Sequence, residues 1–286
     1  MRDRLLRDGF LILALVFVGL RLLAVEPWVQ SVDAYAYWAT RGGDIYASAE
    51  AGRIGAYLYS PAFAQLLTPL VALPWPVFCA GWTALLCLVY WRLVGRLALP
   101  LLLFVPIPFE IVSGNVHLMI AAAIVVGFRY PAAWALPLLT KVTPGVGLLW
   151  FAARREWRSL ALALGATALV AVVSLVVAPD VWRQWVALLV RDAGAPLDTP
   201  GWYAPIPLLV RLPVAAVVVT WGALTDRRWT LPVAVVLSLP ILWLNNLAIL
   251  AALPALGATW PLPARRLAAE PTAERAPELA KPAPAR

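Results

Sequence analysis

Two side chains carry most of the chemistry this chain could do. The stretch LLTKVTPGVGLLW (138–150) holds Lys141 with no other acidic or basic residue between Arg129 and Arg154. A lysine at the centre of a membrane helix costs about 2.5–3.5 kcal/mol on insertion scales, so such a residue is by default a candidate functional site. The second is Asp33, in SVDAYAYW beside Tyr35, Tyr37 and Trp38. A carboxylate against apolar and aromatic surface holds its proton more tightly and suits the work of a general base. Further polar candidates are Glu110, Asn115, His117 (the chain's only histidine), Asn245 and Asn246. Each also has a structural reading. Lys141 could snorkel to lipid headgroups, His117 could be a hydrogen-bonded core residue, and the asparagine pair could cap a helix over 246–262.

The elements that must position these residues are membrane helices. Of the 286 residues 63% are hydrophobic and 13% charged, against about 25% charged in soluble domains. Apolar stretches recur from residue 9 to 262, each near the length that crosses a bilayer or half of one. The expected fold class is therefore all-α: a polytopic transmembrane bundle of about ten spans, several of them short or broken. They fall at roughly 9–25, 60–91 (bent at Pro74 and Pro76), 97–112, 115–128, 131–140, 143–153, 158–178, 204–222, 230–244 and 246–262. Residues 1–262 form the membrane domain, with a long first outer loop at 26–58, and the Pro- and Ala-rich 263–286 read as a disordered cytoplasmic tail. The net charge of +8 then reports topology and not nucleic-acid binding.

The decisive stretch is 131–153. As one span it would put Lys141 at mid-membrane and turn Arg154, Arg155, Arg158, Arg227 and Arg228 outward, against the positive-inside bias. Thr143-Pro144 reads as an N-cap and first helical residue, which favours two short helices in a hairpin with Lys141 at the turn. Twelve residues from Arg129 raise that turn about 18 Å, short of the far side of a core about 30 Å thick. Broken backbone at that depth needs protein or a wet cavity beside it. A lysine next to unpaired helix N–H groups is an anion site, and phosphate is the natural ligand. Under this topology both termini are cytoplasmic. Asp33, Glu110, Asn115, Lys141, Asn245 and Asn246 collect on the outer side with His117 just inside. Ser60-Pro61 is expected to cap the next helix, and PDVWRQWVALLVRDAG (179–194) to form an amphipathic helix on the outer leaflet. Cys79 and Cys87 lie in an apolar stretch and suggest no disulfide framework. The sequence shows no Walker A loop and no metal-ligand spacing, and no cofactor or metal is expected.

Asp33 after the first span, LYSPAFAQLLTPL (58–70), SGNVHLMI (113–120) and LLTKVTPGVGLLWFAARREWR (138–158) follow in one order. Together they resemble the family 87 glycosyltransferases of the GT-C superfamily, bacterial membrane enzymes that take mannose or a related sugar from a polyprenyl phosphate. The family's Tyr-Pro-Pro stands here as Tyr59-Ser60-Pro61 and its Gly-Gln-x-Asn as Gly114-Asn115-Val116-His117. A late histidine pair is replaced by Asn245 and Asn246 in SLPILWLNNL (238–247), and the chain is short for the group. The resemblance implies a bacterial plasma-membrane enzyme with an extracytoplasmic active site. It would pass a sugar, mannose first among them, from a polyprenyl-phosphate donor to a membrane lipid or glycan acceptor. It gives Asp33 the role of base. It places Lys141, His117, Asn115, Asn245 and Asn246 at the donor phosphate, and Tyr35, Tyr59 and Glu110 at the substrate. A non-catalytic lipid-phosphate binding or translocating protein of the same fold is the alternative, which the loss of the histidine pair favours.

Overall fold

Proline and glycine divide the apolar stretches, and the divisions decide the architecture. The computed structural model describes residues 1–23, 26, 31–46, 49–50, 53, 55–192 and 203–257. The expected tail at 263–286 lies outside them. The described chain is mostly helical, with a single pair of two-residue strands, β1 (Tyr203–Ala204) and β2 (Leu242–Trp243), joined antiparallel. Its helices are α1 (Arg2–Arg21), α2 (Val32–Ala39), α3 (Pro61–Val71), α4 (Trp75–Val94), α5 (Pro106–Ser113), α6 (His117–Gly127), α7 (Ala135–Thr140), α8 (Leu149–Ala153), α9 (Trp157–Val177), α10 (Pro179–Asp192), α11 (Leu208–Leu224) and α12 (Thr230–Ser238).

The about ten expected spans resolve differently. Among the described residues two helices are long and apolar enough to cross a membrane, Trp75–Leu97 and Trp157–Val177. A third span results if Pro106–Ser113 and His117–Gly127, bent by 110° at their junction, are taken together. The other apolar segments are 10–17 residues long. The expected helix at 97–112 begins as 3-10 turns broken by Pro100 and becomes helical only at Pro106, because proline removes a backbone donor and clashes with the preceding turn. That at 246–262 is a 3-10 segment, Leu244–Ala252, followed by Pro254–Leu256. Asn245 and Asn246 lie inside it and do not cap it. The long stretch at 60–91 is split at 72–74, as its prolines require, and Ser60 caps α3 by accepting the Phe63 N–H at 3.4 Å.

Residues 131–153 fold back on themselves. In one straight helix Trp134 and Phe151 would stand about 25 Å apart along the axis, yet their ring centroids are 6.5 Å apart. Thr143 does not cap the returning arm. That arm opens as a 3-10 turn over Thr143–Leu148, and the buried Thr143 hydroxyl has no hydrogen-bond partner among the described residues. The two arms approach closely because Gly145 and Gly147 face Leu138 and Trp134. The basic turns meet at one end: Arg154 donates to the Ala223 carbonyl at 3.0 Å and pairs with Asp226 at 3.1 Å, and Arg228 lies over Phe128. Lys141 is at the other end of the hairpin.

Arg211, buried in α11, donates to the carbonyls of Ile206, Leu237, Leu239 and Pro240 at 2.7–2.9 Å. It thereby ties the start of α11 to the end of α12, just before β2. The amphipathic helix appears as α10. It turns Leu188 inward and Trp185 toward the Leu58 carbonyl, while Val186, Leu189 and Val190 stay exposed.

The hairpin makes a direct prediction. A Cβ at Gly147 would overlap the Trp134 ring, whereas one at Gly165 in α9 meets nothing within 4 Å. Gly147→Ala should lower stability by about 1–3 kcal/mol through overpacking. Gly165→Ala should be neutral or stabilising, since glycine is unfavourable in mid-helix. Thermal unfolding of both variants in detergent checks this, and equal midpoints would contradict the tight hairpin.

Candidate active site

The site forms around the 110° break between α5 and α6. Gly114 ends α5 in the left-handed region (φ +76°), and a Cβ there would strike Ser31 and Ala34 of the segment opening α2. The break frees backbone groups at both helix ends, and side chains reach five of them. The carbonyls of Val112, Ser113 and Gly114 accept from Arg21 (2.8 Å), Ser31 (3.2 Å) and Trp82 (2.7 Å). At the start of α6 the Glu110 carboxylate accepts the His117 backbone N–H at 2.6 Å, and the Asn115 side chain accepts the Val116 N–H at 2.7 Å.

The side chains so placed continue into one polar cluster. His117 Nδ1 lies 2.9 Å from Glu110 Oε2, and His117 Nε2 lies 2.8 Å from Lys141 Nζ. Asn245 donates its amide to Glu110 Oε2 at 3.2 Å. On the other side of Lys141, the Tyr59 ring centroid is 5.8 Å from Nζ. The Tyr59 hydroxyl donates to Asn115 Oδ1 at 3.2 Å and accepts from Tyr37 at 3.1 Å. Asn115 is also close enough to the Asp33 carboxylate to interact with it. Ser60, next to Tyr59, donates to the Leu139 carbonyl two residues before Lys141, which locks the α3 entry to the hairpin turn. Glu110, His117, Asn115, Asn245, Tyr37 and Tyr59 are buried; Asp33 and Lys141 are only half-buried. Beside the cluster a cleft of about 530 Å³ opens between the segment after α2 and α10. It is lined by Asp44, Tyr46, Gln184, Ala187, Leu188 and Arg191, and Tyr46 donates to the Tyr59 carbonyl at 2.7 Å. Among the described residues no group of three His, Cys, Asp or Glu side chains could hold a metal ion.

The family model of glycosyltransferase family 87 matches residues 57–270. The chain belongs to glycosyltransferase family 87. No curated protein and no solved structure matches it. The match begins after Asp33, so that residue's place in the site rests on the geometry alone.

Most of the residues expected of this membrane glycosyltransferase converge. Asp33, Tyr59, Glu110, Asn115, His117, Lys141 and Asn245 share one cluster although they come from six separate stretches of chain. Two do not join it through any described hydrogen bond. Tyr35 packs edge-on against Trp75, with a tilted Trp38 beside it. Asn246 is buried with its amide on the Ile241 carbonyl at 2.6 Å. Tyr37 was not anticipated. It looks like an ordinary aromatic of the loop, and only its distance from Tyr59 in the fold reveals it.

Burial pushes the Asp33 carboxyl above the ordinary carboxylate range; the neighbouring Asn115 side chain opposes the shift, the Glu110 carboxylate adds to it, and the Lys141 ammonium opposes it less strongly. The native state therefore binds this proton more tightly than the unfolded chain. Its contribution to stability falls as pH rises from the unfolded value through the folded one, and at neutral pH an ionised Asp33 is a net strain on the fold. Asp33→Asn should raise the thermal midpoint at neutral pH by a few degrees, with the gain shrinking as pH is lowered. A lower midpoint at neutral pH would contradict this electrostatic account.

Proposed function

We propose that this membrane glycosyltransferase passes a sugar, mannose in the first instance, from a polyprenyl-phosphate donor to a lipid or glycan hydroxyl on the extracytoplasmic side of the plasma membrane. One observation carries the reading: of the residues in the buried polar cluster, Asp33 and Lys141 are the two that are half-buried while the others are buried. A base and a cation within one cluster are what this reaction needs. The acceptor oxygen attacks the anomeric carbon and its proton passes to Asp33. The bond from that carbon to the phosphate oxygen breaks, and its electrons leave with the polyprenyl phosphate. Lys141 balances the charge developing there, in a low-dielectric setting where one well-placed donor is worth more than in water. Because phosphate is a good leaving group, a single carboxylate suffices where most glycoside hydrolases use two. The fold-back at Lys141 and the gathering of Arg154, Arg228 and Asp226 at the opposite end support an extracytoplasmic site with cytoplasmic termini.

The cleft between the segment after α2 and α10 supports an acceptor path. Its wall combines a carboxylate, an amide, a guanidinium and an aromatic ring, a mixture suited to hydroxyl-rich ligands.

The test is transfer of labelled sugar from polyprenyl-phosphate-mannose by the purified chain in lipid nanodiscs, with a membrane-lipid extract as acceptor. Asp33→Asn should abolish transfer and keep donor binding. Lys141→Met should weaken donor binding roughly ten- to hundredfold, the loss expected for a charged hydrogen bond. Donor binding by the wild type without transfer to any acceptor would support the non-catalytic alternative. Unchanged transfer by Asp33→Asn would remove it as the base. In the same assay Ala187→Trp, which fills the cleft from an exposed helix, should raise the acceptor KM and leave donor binding intact. An unchanged acceptor KM would close that path.

A further inference from the structure

With Lys141 as an ammonium and Glu110 as a carboxylate, the contacts of His117 admit one arrangement of protons that leaves every bond satisfied. An ammonium has three donors and no acceptor, so Lys141 Nζ, 2.8 Å from His117 Nε2, requires a lone pair on that nitrogen. The other ring nitrogen faces Glu110 Oε2 at 2.9 Å, and an ionised carboxylate accepts only, so Nδ1 must carry the proton. The carboxylate is itself held by the His117 backbone N–H at 2.6 Å and the Asn245 amide at 3.2 Å. The imidazole is then neutral, and it separates one positive charge from one negative charge. Glu110 and His117 are fully buried, while Lys141 is not.

We propose that His117 and Glu110 are positioning residues: the Glu110 carboxylate fixes His117 as the neutral Nδ1–H tautomer, and the free Nε2 lone pair aims the Lys141 ammonium into the site. One N–H of Lys141 is spent on Nε2. The other two remain for phosphate oxygens, with the Tyr59 ring as the opposite wall. The buried glutamate gives the lysine its counter-charge through the ring, without a direct ion pair that a phosphate would have to compete with. In this arrangement neither His117 nor Glu110 touches the substrate. The phosphate-aiming half of the proposal rests on the donor reading above; the tautomer half stands on the geometry alone.

The chain has a single histidine, so histidine-selective 15N labelling gives an unambiguous spectrum. The full chain in nanodiscs at neutral pH should show a protonated Nδ1 and an unprotonated Nε2 that accepts a hydrogen bond. Lys141→Met should move the Nε2 signal toward that of an unbonded lone pair and leave Nδ1 protonated. Adding farnesyl phosphate as the probe should perturb Nε2 in the wild type. His117→Phe should weaken farnesyl phosphate binding about tenfold, and His117→Gln, whose side-chain oxygen can stand near the Nε2 position, should recover most of the loss. An imidazolium, an Nε2–H tautomer, or equal binding by His117→Phe and wild type would overturn the proposal. If the wild type bound no farnesyl phosphate, the donor reading and the aiming role would fail together, while the tautomer of the empty protein would still decide the charge arrangement.

Discussion

The structure depends on one constraint: backbone groups freed where a helix breaks in an apolar interior must be paired by protein, because no water reaches them. The junction of α5 and α6 shows how far the chain goes to meet it. Three consecutive carbonyls, from Val112 to Gly114, are reached by Arg21, Ser31 and Trp82, from three different parts of the chain. The helix that follows is received by Glu110. That carboxylate therefore holds up the fold and organises the site with the same two oxygens, and the site cannot loosen without the break losing its partner. An unsatisfied buried polar group costs about 1–3 kcal/mol, so each of these bonds matters to stability as well as position.

The apolar surroundings supply the rest of the precision. Tyr37 is packed by Tyr59, Phe63 and Trp82 with ring centroids 5.3–5.7 Å away, and Trp82 stacks on Phe78. Close-packed rings leave few alternative rotamers, so the Tyr37–Tyr59–Asn115 chain is held by shape as well as by hydrogen bonds. Asp33 sits where α2 meets this wall. Its high proton affinity follows from that placement: the packing that fixes the carboxylate also withholds the water that would have solvated it.

What could be read from the sequence follows from the range of the interactions involved. The break around Lys141 was legible because its causes, Pro144 and two glycines, are local, and so was the Ser60 cap, which needs only Pro61 and Phe63. The cap expected of Thr143 failed because the turn closes as a 3-10 helix, whose first residues offer the hydroxyl a different geometry. Asn245 and Asn246 could have capped a helix over 246–262, but the chain enters from β2 and its 3-10 segment begins two residues earlier, at Leu244, which sends one amide to Glu110 and the other to Ile241. Glu110 could be picked out as a polar candidate in an apolar stretch, yet its work as the receiver of α6 depends on a 110° bend that no local pattern announces. Tyr37 became part of the site only through contacts twenty or more residues away.

The asparagines at 245 and 246, where the resemblance led one to expect histidines, gain a physical meaning from the same network. Asn245 reaches Glu110 because Arg211, through four carbonyls, holds the turn that leads from α12 into β2 and the following segment. A histidine at 245 would be a second titratable ring beside one carboxylate, and the pair of rings could share protons in more than one way. An amide can donate to Glu110 but cannot take up a proton. With Asn245 in place, the ring that can exchange a proton with Glu110 is His117, and the charge that faces the open side of the site is the lysine's. An asparagine at 245 thus narrows the proton arrangements open to the cluster while leaving Asp33 and Lys141 in place.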